Sequence, residues 1–271
     1  MYTGTYKLGI GLIGGSGLSI DDHIALLKNI GWDAFFTSWH PHKTPLFAKA
    51  AETHGMVYSS IHAPFDQMAY LWNEGDLGVQ VTNNLIDCLK DCATHHIPVM
   101  VLHPFIGFGE ESPTEAGLVN FARLVDEADK LGIRLGFENV EGESYLAAIF
   151  ERFASHPSLG FCFDTGHELC YNRGKDMLAQ YGHMLCHTHF NDNMGVTGQD
   201  IFWTDDLHLV MGDGIANWPD IMRRIRGVDY DGILTCELKL PKDTAHERYA
   251  HMGHKEFYTF VFNRMKEIIQ M

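Results

Sequence analysis

None of the six cysteines in this 271-residue chain forms a C-x-x-C pair. Cys88, Cys92, Cys162, Cys170, Cys186 and Cys236 are scattered, and several fall inside apolar runs such as GFCFD and ILTCEL. That pattern argues against a thiolate metal site or a disulfide framework and for buried free thiols in a reducing compartment. Long apolar runs are missing as well, since no stretch approaches the roughly 20 residues of a membrane span. The opening MYTGTYKLGIGLIGG has neither the cationic start nor the small-residue cleavage site of a secretion signal. These absences predict a cytoplasmic protein with no membrane partner. Positive charge is scarce: 20 Lys and Arg stand against 35 Asp and Glu, a formal net charge of -15. This disfavours broad phosphate-backbone binding, but it does not exclude nucleic acid, because a metal cluster supplies positive charge locally. No G-x-S-x-G elbow and no Walker-type loop occurs, so serine-hydrolase and P-loop chemistry have no support. Gly9, Gly11 and Gly14 do spell G-x-G-x-x-G, yet they sit inside the first apolar run with few residues ahead of them, which argues against a dinucleotide fingerprint.

What the chain does have is alternation. With 45% hydrophobic and 20% charged residues it has the composition of a globular protein. Short runs rich in β-branched and aromatic residues alternate with longer amphipathic segments, and no linker or low-complexity tract interrupts them. Eight runs are expected as strands: 7–13, 32–38, 56–62, 98–103, 133–138, 159–164, 184–189 and 232–237. Helix starts are signalled by Ser19, by Pro113 and Thr114, and by Asn217, and stops by Gly31, Gly55 and Gly132. Eight βα units predict an α/β fold, a (β/α)8 TIM barrel in which a parallel eight-stranded barrel is ringed by helices, as one domain spanning residues 1–271. The C-terminal segment EFYTFVFNRMKEIIQ reads as the eighth helix packing on the barrel.

The last residues of the third to eighth expected strands are His62, His103, Glu138, Asp164, His189 and Glu237. A barrel brings such strand ends to one mouth. Any one of the 17 histidines is best explained by surface or core packing, but six metal-competent residues in register at six consecutive strand ends are not. His167 in FDTGHELC and the pair Asp206 and His208 in DDLHLVMGDG lie close by in sequence. Imidazole and carboxylate without thiolate suit Zn, Mn, Co or Fe, in a catalytic rather than a structural site. The aromatic residues Trp39, Phe65, Trp72, Phe105, Phe108 and Trp203 are expected near the mouth, either stacking on a substrate face or closing the barrel top. The long stretch from Asn191 to Asn217 is a candidate lid.

These strand ends and their surroundings, SSIHAPF, VMVLHPF, LGFENVEG, LGFCFDTGHELC, HTHFNDN, DLHLVMGDGIANW and ILTCELK, resemble the xylose isomerase-like TIM-barrel superfamily. That superfamily includes sugar isomerases and epimerases and the endonuclease IV-type apurinic endonucleases. In its sugar branch the resemblance implies one divalent ion, with Zn or Mn first among the candidates, held by Glu138, Asp164, His189 and Glu237. Glu138 and Glu237 would then be the two acid/bases flanking a metal-stabilised enediolate of a sugar or sugar phosphate. His167, His62, Trp39 and Phe105 are the candidates for holding the substrate. Many epimerases of this kind carry an arginine six residues past the metal-binding histidine, a position that is Gly195 here. In the endonuclease branch the resemblance implies up to three zinc ions on nine ligands, namely His62, His103, Glu138, Asp164, His167, His189, Asp206, His208 and Glu237. The loops APFDQMAYLW and HPHKTP do not resemble that branch's DNA-contacting loops, which leaves the sugar reading first and the phosphodiesterase second. A homo-oligomer formed through the outer helices is a further expectation of the resemblance.

Overall fold

The computed structural model describes residues 6–110, 112–238 and 244–271. Its strands are β1 (Leu8–Gly11), β2 (Ala34–Ser38), β3 (Val57–His62), β4 (Val99–Leu102), β5 (Arg134–Glu138), β6 (Leu159–Asp164), β7 (Leu185–His189) and β8 (Leu234–Cys236). All eight fall inside the expected runs. They pair in parallel in the order β7-β6-β5-β4-β3-β2-β1-β8, and a parallel bridge between Phe190 and Cys236 joins the two ends into a closed barrel.

The helices between them begin and end where the sequence signals them. In α1 (Ile20–Ile30) the Ser19 hydroxyl accepts the Asp22 amide, and Gly31 closes the helix at φ 120°. Gly55 and Gly132 end α2 (Thr44–His54) and α4 (Glu115–Leu131) in the left-handed conformation, which costs glycine little. Thr114 and Asn217 cap α4 and α8 (Trp218–Gly227) through their side chains. Helix α3 (Asp76–Thr94) follows β3, and α5 (Glu143–Arg152) follows β5. Helices α6 (Thr165–Cys170) and α7 (Met177–Tyr181) both follow β6. The C-terminal α9 (His254–Ile268) buries Phe257, Tyr258, Val261, Met265 and Ile268, as core packing requires.

Strand periodicity of two separates two cores. Outward side chains such as Met100, Leu102, Leu135, Phe137, Phe161 and Phe163 join the large apolar layer under the helices. Val99, Val101, Cys162 and Cys186 fill the barrel interior as a small separate cluster. Inside the barrel, one parity leads upward from Val101 to His103, from Gly136 to Glu138 and from Cys162 to Asp164. The glycines of the first strand also serve this interior, because a Cβ on Gly11 would lie 2.8 Å from the Phe36 ring. Phe36 in turn stacks on His189, with ring centroids 4.8 Å apart.

Trp72, one of the aromatics expected near the mouth, is core instead. It is 3% exposed, donates its indole N–H to the Pro104 carbonyl and packs on Phe121 and Tyr145. It occupies the space over Gly117 of α4, where an added Cβ would come within 2.1 Å of the indole. Gly117→Ala is therefore expected to destabilise the fold by about 3 kcal/mol through overpacking, lowering Tm by about 8 °C. A thermal melt checks this, and an unchanged Tm would mean that α4 shifts without penalty.

Candidate metal centre at the barrel mouth

Strands β3, β5, β6 and β7 end on His62, Glu138, Asp164 and His189, while His103 and Glu237 directly follow β4 and β8. Together these six side chains form one cluster, with His62, Glu138, Asp164 and His189 buried and His103 and Glu237 partly exposed. At its centre is Glu138, 0% exposed. Its Oε1 lies 2.7 Å from His189 Nδ1, and its Oε2 lies 3.3 Å from His62 Nε2 and 3.2 Å from His103 Nε2. Glu237 Oε2 approaches the same His189 nitrogen at 3.2 Å.

The long segment after β7 completes the cluster. Asp206 reaches His167 Nε2 with one oxygen at 3.4 Å and His208 Nε2 with the other at 3.0 Å. His208 has a positive φ of 48°, an uncommon conformation for a non-glycine residue and one that tends to mark functional positions. All nine residues expected as ligands thus converge.

Residues that the sequence reading did not single out set the orientation of these donors. Asn139 clamps the Asp164 backbone, its Oδ1 accepting the Asp164 amide at 2.8 Å and its Nδ2 donating to the Asp164 carbonyl at 2.9 Å. Asn191 Nδ2 donates to Asp164 Oδ2 at 2.7 Å, and the other carboxylate oxygen caps α6 by accepting the His167 amide. His62 donates Nδ1–H to the Ala63 carbonyl at 2.8 Å, which leaves Nε2 facing inward. Such outer partners fix the tautomer and aim of a metal-binding imidazole. The only trace of them in the sequence is that each lies within two residues of an expected ligand, as in FENVE and HFNDN.

Four carboxylates buried against five histidines shift one another's protonation. Burial would raise Glu138, but His189, His103 and His62 reverse this and hold it well below the usual carboxylate range. Asp164 is pushed up to about 6 by burial, with the charges of Glu138 and Glu237 adding to the effect. Burial disfavours a charged His167, yet Asp164 and Asp206 outweigh it and raise the imidazole to about 10. His189 is likewise driven well above its ordinary value, despite its burial, by Cys162, Glu237 and Glu138. Without a cation, protons on His167 and His189 offset the buried negative charge, and a divalent ion would take over that role.

The donors fit such ions. Three groups built from imidazole and carboxylate alone have donor atoms within 4.8 Å of one another: His62, His103 and Glu138; Glu138, Asp164, His189 and Glu237; and His167, Asp206 and His208. Those spans suit metal–ligand bonds of about 2.0–2.2 Å. Cys162 forms a fourth group of this span with Glu138 and His189, and burial keeps its thiol protonated in the absence of a cation.

Above the donors opens a cavity of about 370 Å³, lined by His62, His103, His167, His208 and Glu237 together with Phe65, Ile106, Glu141, Tyr171, Trp203 and Asp206. Phe65 lies flat on His103 at 4.5 Å. The two aromatics expected to hold the substrate, Phe105 and Trp39, sit elsewhere. Phe105 stacks on Tyr145 at 4.1 Å and lines a neighbouring chamber. Trp39 lines neither chamber, because its indole N–H is committed to Asp91 of α3 at 2.8 Å. Glu141, Tyr171 and Ile106 line the cavity without having been expected there.

Fold and donors together define a TIM barrel whose mouth holds a buried His and carboxylate centre suited to divalent cations. The chain belongs to the xylose isomerase-like TIM-barrel family, whose profile matches residues 24–253. It is 24% identical over 211 residues to an uncharacterised protein of Methanocaldococcus jannaschii, an alignment covering 69% of this chain and 67% of that protein. A probable endonuclease 4 of Chloroflexus aurantiacus is 28% identical over 157 residues, so the match spans about half of each chain, 53%. Among solved structures, a D-tagatose 3-epimerase-like protein superposes with a TM-score of 0.73 at 18% identity, covering 97% of this chain and 98% of that one. At that identity the likeness concerns the fold. No helix among the described residues is long and apolar enough to cross a membrane.

Proposed function

We propose that this protein is a metal-dependent isomerase or epimerase acting on a sugar or sugar phosphate. The observation that carries the reading is the four-residue group of Glu138, Asp164, His189 and Glu237 beneath a cavity of about 370 Å³, room for one sugar ring but not for a duplex. A divalent ion held there would polarise the carbonyl and the neighbouring hydroxyl of a ketose. Glu237, with its side chain 24% exposed, faces the cavity and is the base placed to move a proton at carbon. Glu138 is the second acid/base of this reading. It reaches the substrate only if Oε2 turns away from His62 and His103. His167 and His62 would hold substrate oxygens at the cavity wall.

A second reading draws on that same feature of Glu138. A carboxylate with one oxygen toward His189 and the other toward His62 and His103 is placed to bridge two ions, and His167, Asp206 and His208 add a third group. This favours a multinuclear phosphoesterase, for which the part-length likeness to a probable endonuclease 4 is further support.

The test combines metal content with solvent-deuterium exchange. Protein purified without chelator is expected to carry about one ion per chain, or more, and to incorporate deuterium at carbon into a ketose. Incorporation should stop on chelation and return with Mn²⁺ or Zn²⁺. Cleavage of abasic duplex with no exchange into any ketose would overturn the isomerase reading in favour of the second.

A further inference from the structure

The inner cavity is not the whole site. Beside it lies a larger chamber of about 640 Å³, and Glu141 and Tyr171 form the wall between the two. We propose that this outer chamber binds a second, uncharged sugar unit of the substrate, so that the physiological substrate is a neutral glycoside rather than a monosaccharide or a sugar phosphate. The proposal rests on the sugar reading above and adds to it the size and charge of the substrate.

Three features of the chamber support this. Its walls are aromatic: Phe108 and Phe202 are 40% and 57% exposed, stand 6.1 Å apart, and Phe108 also meets Tyr171 at 6.3 Å. Exposed ring faces suit the apolar C–H face of a pyranose.

The second feature is a buried donor without an acceptor. Asn172 lines the chamber, is 1% exposed, and its Nδ2 has no hydrogen-bond partner in the protein. Its amide cannot simply be reversed. Asn139 is fixed by donating to the Asp164 carbonyl and accepting the Asp164 amide, so its Nδ2–H must meet Asn172 Oδ1, at 3.0 Å. A buried N–H group left this way has its hydrogen free for an oxygen acceptor, a water or a sugar hydroxyl.

The third feature is charge. Among the described residues, Glu110, Glu141, Glu143 and Asp200 line the chamber against Arg173 and Lys175. Lys175 is held by both oxygens of Glu143 at 2.7 and 2.9 Å, and Arg173 donates to the Gln199 carbonyl at 2.7 Å. A phosphate would meet a net negative wall, whereas sugar hydroxyls can donate to these carboxylates and accept from Asn172.

The experiment uses Mn²⁺-loaded protein with three probes, D-fructose, lactulose and D-fructose 6-phosphate, measuring affinity by titration calorimetry and deuterium incorporation by NMR. Lactulose is expected to bind about tenfold more tightly than fructose, the equivalent of one good added contact. That advantage should fall below about threefold in Phe108→Ala, which trims an exposed ring, and in Asn172→Asp, which keeps the bond to Asn139 but replaces the donor with an acceptor. Equal affinity for fructose and lactulose, or an advantage that neither variant reduces, overturns the proposal. Tightest binding of the phosphate ester overturns it as well. Binding of lactulose with the expected response to both variants but no deuterium in any probe supports the chamber and sinks the isomerase reading. Exchange into fructose without a lactulose advantage does the reverse.

Discussion

Glu138→Gln is expected to reduce turnover at least ~10³-fold, the scale of losing a group that positions the electrostatics of a reacting centre, while leaving the barrel folded. The prediction follows from the position of Glu138 at the end of β5, where it is shared by two of the three donor groups. A neutral amide of the same shape can still meet His189, His62 and His103, but it removes the negative charge that makes both groups attractive to a cation. Metal analysis of the variant should therefore show loss of every ion bound through Glu138, with binding at His167, Asp206 and His208 retained. Full metal content and activity in the variant would mean that the centre is organised around Asp164 and Glu237 instead. A companion variant, His208→Asn, removes a donor of the third group together with the imidazole that lies 3.8 Å from Glu237 Oε2. It should leave deuterium exchange into a ketose largely intact under the isomerase reading and abolish cleavage under the phosphoesterase reading.

The barrel was legible in the sequence because its two periodicities are clean. β5 and β6 alternate small or polar inward residues with Leu and Phe pointing outward, and the helix caps Ser19, Thr114 and Asn217 act as their residue types predict. The convergence of the candidate donors was legible for the same reason, since a strand-end position in a barrel fixes both where a side chain sits and which way it points. What the sequence did not disclose are contacts made through loops. Trp39 lies only one residue past β2, yet a hydrogen bond to Asp91, 52 positions away, turns it outward. Trp72 ends a short 3-10 helix (Met68–Trp72) and is drawn into the core because Gly117, on a helix 45 residues later, leaves room for it. Glu141 and Asn172 become walls of the cavities only once the segments after β5 and β6 fold over the mouth, and nothing in their local spacing marks them out. The G-x-G-x-x-G string shows the opposite failure, a motif without its context. Gly9 and Gly11 clear space for Phe36 and Thr235 inside the barrel, and α1 begins at Ile20, well past Gly14.

The segment from Asn191 to Asn217, expected as a lid, carries the second large prediction because its base is fastened by one residue. Asp192 is 0% exposed, and its carboxylate accepts the amides of Asn193, Gly212 and Ala216 at 2.8, 2.8 and 3.0 Å and the indole N–H of Trp218 at 3.1 Å. Its backbone exchanges two hydrogen bonds with Leu209, at 2.8 and 2.9 Å. Asp192→Ala would leave four donors without their acceptor, at about 1–3 kcal/mol for each one that stays buried. The chain has a less costly response, which is to release the segment and let water reach those donors, so the loss of global stability is limited by the cost of local opening. The expected signature is thus a Tm lowered by about 5–10 °C, with hydrogen exchange at the Leu209 and Gly212 amides accelerated far more than in the barrel strands. Asp206 and His208 lie just ahead of Leu209, in the stretch that this strand-like return carries back toward β7, and His208 holds a left-handed conformation there. Release should therefore remove the third donor group while sparing Glu138, Asp164, His189 and Glu237. Slow exchange at Leu209 in the variant would show instead that the backbone bridge fastens the segment without the carboxylate, and that Asp206 and His208 owe their placement to contacts with His167 and Glu237.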